Sequence, residues 1–268
     1  MEDKKLPIDQ EWLNGEIARL NKKTVIPIEQ VKSLHDWLDE KRAARQSCRV
    51  VGESRTGKTV TCQSYALRNT PRLSGNTPPN LPVVYVVPAQ KCGPKDFFGA
   101  IIGALIYRAV KGSTSELRNR ATEILKSCGV EMLIIDEADR LRPETFSEVR
   151  DIYDNLEIAV VLVGTDRLDA AIKRDEQVYN RFSACRRFGL LTGEDFIRAV
   201  AIWEDKILKL PVASNLTSKE TLKILTRGTG GYIGKLDQIL KGAAIRSLRK
   251  GHKRVETEVL KEVVKEFS

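Results

Sequence analysis

The residues best suited to chemistry lie in two short stretches. Residues 52–59 read GESRTGKT, a full match to G-x-x-x-x-G-K-[ST]. Gly52 and Gly57 let the backbone fold tightly, so that N–H groups along Glu53, Ser54, Arg55 and Thr56 converge on phosphate oxygens. Lys58 would neutralise β- and γ-phosphate charge, and Thr59 would offer its hydroxyl to Mg²⁺. The helix that starts here and continues through Val60 adds its positive N-terminus. Residues 132–141 read MLIIDEADRL, an apolar run that ends in paired carboxylates. At the C-terminal edge of a parallel sheet, Asp136 would support Mg²⁺ and Glu137 would polarise the attacking water. Asp139 reads better as an acidic residue of the local turn. The expected ligands are a nucleoside triphosphate and Mg²⁺.

These residues need a particular scaffold. A strand at Ser47–Val51 runs into the glycine loop, and a helix at Lys58–Arg68 leaves it. Further apolar strands are expected at Val83–Val87, Met132–Ile135 and Ile158–Val163, with a last one at Arg187–Leu190. Helices are expected at 9–20, 28–45, 94–111, 114–127 and 143–156, the last with proline in its first turn. Trp12 and Trp37 are expected in the core. Residues 69–82, rich in Pro, Gly and Asn, are a loop. After Leu191 only helices follow, at 193–209, 217–226, 234–249 and 256–267. The predicted fold class is therefore α/β: a P-loop NTPase with a parallel sheet core and a C-terminal helical lid. Its expected divisions are a helical segment at 1–45, a nucleotide-binding α/β domain at 46–190, and a lid at 191–268.

Composition narrows the possibilities. The 268 residues are 41% hydrophobic and 30% charged, enough for a real core. Five single cysteines without C-x-x-C, and two distant histidines, argue against disulfide, zinc or histidine-based chemistry. The charged MEDKKLPIDQ start and the lack of a long apolar run predict no secretory signal or span, hence a cytoplasmic protein. A net charge of +9 suggests a polyanionic partner, nucleic acid first.

The letters D-E-A-D also label a helicase superfamily. A helicase needs a second α/β motor, and residues 191–268 offer no second set of strands. There is no S-A-T triplet and no guanine-reading N-K-x-D. These absences leave an ATPase with a helical lid. Here the chain resembles an AAA+ ATPase over roughly residues 24–250. VVGESRTGKT is similar to Walker A and MLIIDEADRL to Walker B. VVLVGT puts Thr165 at the sensor 1 position, and YNRF puts Arg181 at the arginine finger, with Arg174, Arg186 and Arg187 as rivals. GTGGYIGKLDQIL puts Lys235 at the start of the sensor 2 helix, where the family usually carries arginine.

Within AAA+, the segments KSLHDWLDEKR, KCGPKDFF and VVLVGTDRLDAAIKRDEQV resemble the transposition regulators of the TnsC/TniB group, relatives of MuB and IstB. The segments closely resemble those of the compact TnsC proteins of CRISPR-associated Tn7-like transposons. That resemblance implies ATP-dependent assembly of a helical homo-oligomer or ring on duplex DNA, without sequence preference, with hydrolysis driving disassembly. It also implies, as partners, the transposase TnsB, TniQ and an RNA-guided Cas effector. For DNA contact the expected residues are Lys91, Lys95, Lys111 and Ser113, since lysines, small hydroxyls and helix N-termini contact phosphates without reading bases. The basic stretch at 245–254 reads equally well as the solvated end of a lid helix. Two other readings share the ATP site: a helicase loader or replication initiator, and a nucleotide-gated scaffold that barely hydrolyses.

Overall fold

A computed structural model describes residues 9–22, 24–70, 80–105 and 111–267. Five strands, β1 (Cys48–Val51), β2 (Val83–Val86), β3 (Met132–Ile135), β4 (Ala159–Gly164) and β5 (Cys185–Arg187), form one parallel sheet in the order β2-β3-β4-β1-β5. Helices α1 (Gln10–Leu20) and α2 (Glu29–Ala43) precede β1, and α3 (Lys58–Arg68) follows it. Helices α4 (Pro94–Ala104) and α5 (Thr114–Ser127) join β2 to β3, and α6 (Pro143–Leu156) joins β3 to β4. Two short helices, α7 (Asp166–Ile172) and α8 (Glu176–Arg181), lead to β5. Beyond the sheet come α9 (Gly193–Ile202), α10 (Lys219–Thr229), α11 (Ile233–Arg249) and α12 (Thr257–Lys265).

The described chain divides into two compact units, one of residues 32–189 and one combining residues up to Val31 with Leu190 onward. The first is the α/β unit. Parallel strands need crossover helices, and these cover both faces, so β1, β3 and β4 are buried throughout and read as unbroken apolar runs. Side chains alternate between the faces. Leu133 and Ile135 pack with Phe97, Ile101 and Leu125 from α4 and α5. Met132 and Ile134 pack with Leu34, Leu38 and Tyr65 from α2 and α3 on the other side.

The second unit is all helix. α11 buries a stripe of Leu236, Ile239, Leu240, Ala243 and Ala244, and α12 adds Leu260 and Val263. α1 belongs to the same core through Leu13 and Leu20. Arg19 of α1 donates to the carbonyls of Ile207 at 2.7 Å and Leu208 at 2.6 Å. These carbonyls end a π-helical stretch, Trp203–Leu208, that continues α9. Basic side chains favour such C-terminal carbonyls. The expected helix over 193–209 is thus α-helical only to Ile202. The expected 1–45 segment is shared: α1 and the start of α2 lie in the helical unit, and the rest of α2 lies in the α/β unit.

Several expectations need correction. Trp12 is 43% exposed, because the inward stripe of α1 runs through Leu13, Ile17 and Leu20, one position away. Trp37 is half-buried against the sheet core. The last strand is Cys185–Arg187, not Arg187–Leu190: an edge strand gains its geometry from pairing with β1, and its half-exposed residues need not be apolar. Arg246, Lys250 and Arg254 of the basic 245–254 stretch pair with Glu266, Glu262 and Glu256. The expected loop over 69–82 and helix over 94–111 fall partly on 71–79 and 106–110, outside the described residues. Among the described residues no helix is long and apolar enough to cross a membrane.

Candidate nucleotide site

The glycine loop leaves the C-terminal end of β1, next to the end of β4. The Gly52 N–H donates to the Gly164 carbonyl at 3.2 Å, which ties the loop to the residue before Thr165. Gly52 has no room for a side chain: a Cβ there would meet the Phe188 carbonyl oxygen at 2.2 Å. Gly57 stands at φ 103°, a left-handed conformation that favours glycine, and caps α3. Arg55 also adopts positive φ. The Thr56 hydroxyl donates to the Glu53 carbonyl at 2.8 Å and cinches the turn. The Lys58 ammonium is buried and donates to the carbonyls of Gly52 and Glu53, each at 2.7 Å. Burial holds its pKa below the usual lysine value, partly offset by Asp136, the Cys62 thiol, Asp139 and Glu137. The lysine therefore sits within the field of the carboxylates after β3. Thr59 and Val60 are exposed on the first turn of α3, as are Glu53, Ser54 and Arg55 in the loop.

Asp136 and Glu137 are neighbours in sequence and differ in setting. Asp136 is 2% exposed, and its N–H extends the ladder to the Val86 carbonyl at 2.9 Å. Its Oδ2 accepts from the Tyr85 hydroxyl at 2.5 Å and its Oδ1 from the Glu137 N–H at 2.8 Å. Burial, then the bond to Asp136, pushes the Tyr85 phenol far up, so it stays a donor. Glu137 is half-exposed and takes a left-handed backbone, φ 52°, costly for a side chain of that size. Its carboxylate pairs with Arg140 at 2.7 Å, and Arg140 also donates to the Pro88 carbonyl at 3.3 Å.

The donor set fits magnesium. Asp136 offers a buried carboxylate and Thr59 an exposed hydroxyl, both hard oxygen donors. Among the described residues no cluster of three His, Cys, Asp or Glu side chains could hold a metal alone. Magnesium needs no such cage, since it is held by one or two protein oxygens, waters and substrate phosphates.

Thr165 caps α7, its hydroxyl oxygen accepting from the Arg167 N–H at 3.3 Å while its proton remains for donation. Arg181 ends α8, and its guanidinium Nε contacts both Asp154 oxygens at 2.9 Å. Because β5 runs parallel to β1, the chain at Arg181 approaches the sheet at the end opposite to the one from which the phosphate loop departs. Among its rivals, Arg186 stacks on Trp37 and bonds to Ser33, Arg187 pairs with Asp166 at 2.9 Å, and Arg174 is exposed. Lys235 belongs to the helical unit, on the first turn of α11, with its ammonium 5.6 Å from the Tyr232 ring centre.

The four residues expected at DNA are all exposed. Lys91 has positive φ in the loop after β2, and Lys95 lies in the first turn of α4. Lys111 precedes α5, whose N-cap is Ser113. The Ser113 hydroxyl already accepts from the Glu116 N–H at 3.3 Å, and the Glu116 carboxylate accepts from the Ser113 N–H at 2.7 Å. That capping box places a carboxylate at the α5 N-terminus.

Sequence reasoning missed Tyr85, Arg140 and Arg49. Two of them carried a signal: a tyrosine in VVYVV and an arginine in CRVV are polar groups inside apolar strands, and such groups need partners.

A family model described as bacterial TniB protein matches residues 17–189. The chain is 26% identical over 110 residues to a Staphylococcus aureus protein described as a potential ATP-binding protein. That match takes in 40% of this chain and 41% of the relative, so the chain spans about two fifths of that curated protein. Among solved structures, Cdc6p from Pyrobaculum aerophilum superposes with a TM-score of 0.72 at 19% identity, covering 93% of this chain and 70% of that one. The Aeropyrum pernix ORC1 protein, solved in complex with DNA, superposes with a TM-score of 0.68 at 17% identity, covering 93% and 69%. At these identities the likeness is one of fold, that of P-loop AAA+ ATPases.

Proposed function

The chain belongs to the bacterial TniB family of transposition-associated AAA+ ATPases, and from that membership we propose an ATP-dependent regulator of DNA transposition. In this reading the protein assembles as a helical filament or ring on duplex DNA in the ATP state. It links a target-selection protein to the transposase, and hydrolysis releases it. The observation that carries the reading is that one family match, residues 17–189, contains the whole loop, both carboxylates, Thr165 and Arg181. The resemblance to compact TnsC proteins suggests TnsB, TniQ and an RNA-guided Cas effector as partners. The replication-initiator reading has fold likeness alone behind it.

The chemistry follows from the side chains. Lys58 and the N–H groups of residues 52–60 would hold the ATP phosphates. Thr59 and Asp136 would hold magnesium, which neutralises charge on the phosphate oxygens. Glu137 would draw a proton from the attacking water as it adds to the γ-phosphorus and the bond to the bridging oxygen breaks, giving ADP and phosphate. Thr165 would orient that water or the γ-phosphate. Arg181 would serve the site of a neighbouring subunit, and its position at the far end of the sheet supports that role. Residues 191–268 would act as the lid, with Lys235 assigned by resemblance alone. Lys91, Lys95, Lys111 and Ser113 would meet the DNA backbone.

Electron microscopy with duplex DNA and a slowly hydrolysed ATP analogue tests this reading. Filaments or rings are expected from wild type, and none from Lys58→Ala. Glu137→Gln should bind ATP, lose turnover by about 10²- to 10⁴-fold, and give longer-lived assemblies. Assembly by Lys58→Ala at wild-type levels, or equally fast release by Glu137→Gln, would refute it.

A further inference from the structure

Arg49 has no part in the proposed chemistry, yet it is the most elaborately held charge in the sheet. It lies in β1 between Cys48, Val50 and Val51, and is itself only 5% exposed. A buried guanidinium needs partners for its fixed fork of donors. Its Nε donates to Asp169 of α7 at 2.6 Å. One terminal nitrogen donates to the Phe182 carbonyl and, at 3.0 Å, to the Ser183 carbonyl. The guanidinium also lies 5.2 Å from the centre of the Tyr179 ring. Burial opposes its charge, and the Asp169 bond together with the other groups around it more than offsets that, so the guanidinium stays charged. Apart from Asp169, every partner flanks Arg181: Tyr179 is two residues before it, and Phe182 and Ser183 follow it directly. The Arg49 N–H adds a further bond, to the Ala184 carbonyl at 2.8 Å.

We propose that Arg49 is a positioning residue that fixes the backbone carrying Arg181, so that the strand which ends in a subunit's own phosphate loop also sets the arginine presented to its neighbour. The inference rests on the reading of Arg181 as an inter-subunit finger. The two ends of Arg181 are held differently. Its backbone is clamped through Tyr179, Phe182 and Ser183, with Phe182 fully buried. Its side chain is held by a half-exposed pair with Asp154, which solvent and a competing phosphate can displace. A fixed stem with an exchangeable tip is what a finger needs, since a misplacement of about 1 Å can cost about 100-fold in rate.

The test uses mixed assemblies on duplex DNA with ATP. Arg49→Lys keeps the charge but loses the fork. Alone it is expected to bind ATP within about twofold of wild type and to turn over about 100-fold more slowly. Glu137→Gln subunits hydrolyse at least about 100-fold more slowly than wild type but keep an intact Arg181. Mixed with them, Arg49→Lys subunits should regain turnover by at least about tenfold, because their own sites are sound and now receive a well-placed arginine. Arg181→Ala mixed with Glu137→Gln is the control. If the control recovers and the Arg49→Lys mixture does not, the positioning role is wrong and the finger stands. If neither recovers, the finger reading falls and the inference with it. Should Arg49→Lys fold poorly, Asp169→Asn loosens the guanidinium with less disturbance. It is expected to lose about tenfold and to show the same recovery, and failure to recover beside a working control overturns the proposal equally.

Discussion

The bond between Tyr85 and Asp136 gives the sharpest prediction. Asp136 is a carboxylate 2% exposed with two donors, the Tyr85 hydroxyl at 2.5 Å and the Glu137 N–H at 2.8 Å. Tyr85→Phe removes the first and leaves the ring in place, so little packing is lost. Hydrogen bonds to charged groups contribute about 1.5–3 kcal/mol net. For a unit of this size each kcal/mol corresponds to roughly 2–4 °C, which predicts a fall in Tm of about 3–12 °C. Losing the partner that orients a ligating carboxylate costs about 10- to 100-fold in metal affinity. The magnesium needed for half-maximal turnover should therefore rise by about that factor. ATP binding in EDTA should not change, because Lys58 and the loop do not depend on Tyr85. The assay is a magnesium titration of ATPase rate beside a melting curve. A folded Tyr85→Phe protein with wild-type Tm and wild-type magnesium requirement would refute the reasoning.

Two further predictions concern charge. Lys95→Ala with Lys111→Ala should lower the slope of log affinity for duplex DNA against log salt by about two, and an unchanged slope means that the phosphates are met elsewhere. His35 is buried and bonded to the Thr61 carbonyl at 3.0 Å and the Ser64 hydroxyl at 3.1 Å, and burial lowers its pKa in the folded state. The unfolded chain then takes up a proton at higher pH than the folded one. Stability should fall as pH drops through about 6.5, the unfolded value, and level off below the folded value. Urea unfolding of wild type and His35→Gln across this range checks the sign, and an identical pH dependence for the two proteins would contradict it.

The contrast between legible and hidden features has physical causes. The phosphate loop is readable because its job fixes residue types at fixed spacing. The three inner strands, β1, β3 and β4, are readable because burial on both faces demands apolar runs, and α3 and α6 span the predicted residues. β5 is not readable in that way: Cys185–Arg187 is made a strand by its partner β1, not by its own pattern. Trp12 misled because hydrophobicity gives a preference, whereas the helix stripe gives the direction. Tyr85 and Arg49 could be noticed as polar groups in apolar strands, but Asp136, Phe182 and Ser183 become their partners only through the fold. The position of Arg181 relative to the loop likewise depends on the strand order, which no local stretch encodes.

The shared core of α1 and α11 bears on how the chain can fold during synthesis. α1 leaves the ribosome before its partner α11, which begins more than two hundred residues later. Until then Leu13 and Leu20 have no core to enter, and Arg19 has no Ile207 or Leu208 carbonyl to meet. An amphipathic helix of 11 residues is marginal by itself in water. The α/β unit, continuous from residue 32 to 189, can close without it. Assembly of the helical unit then waits for the segments after Leu190, so termination before them leaves the apolar stripe of α1 without its core while the α/β unit is already complete.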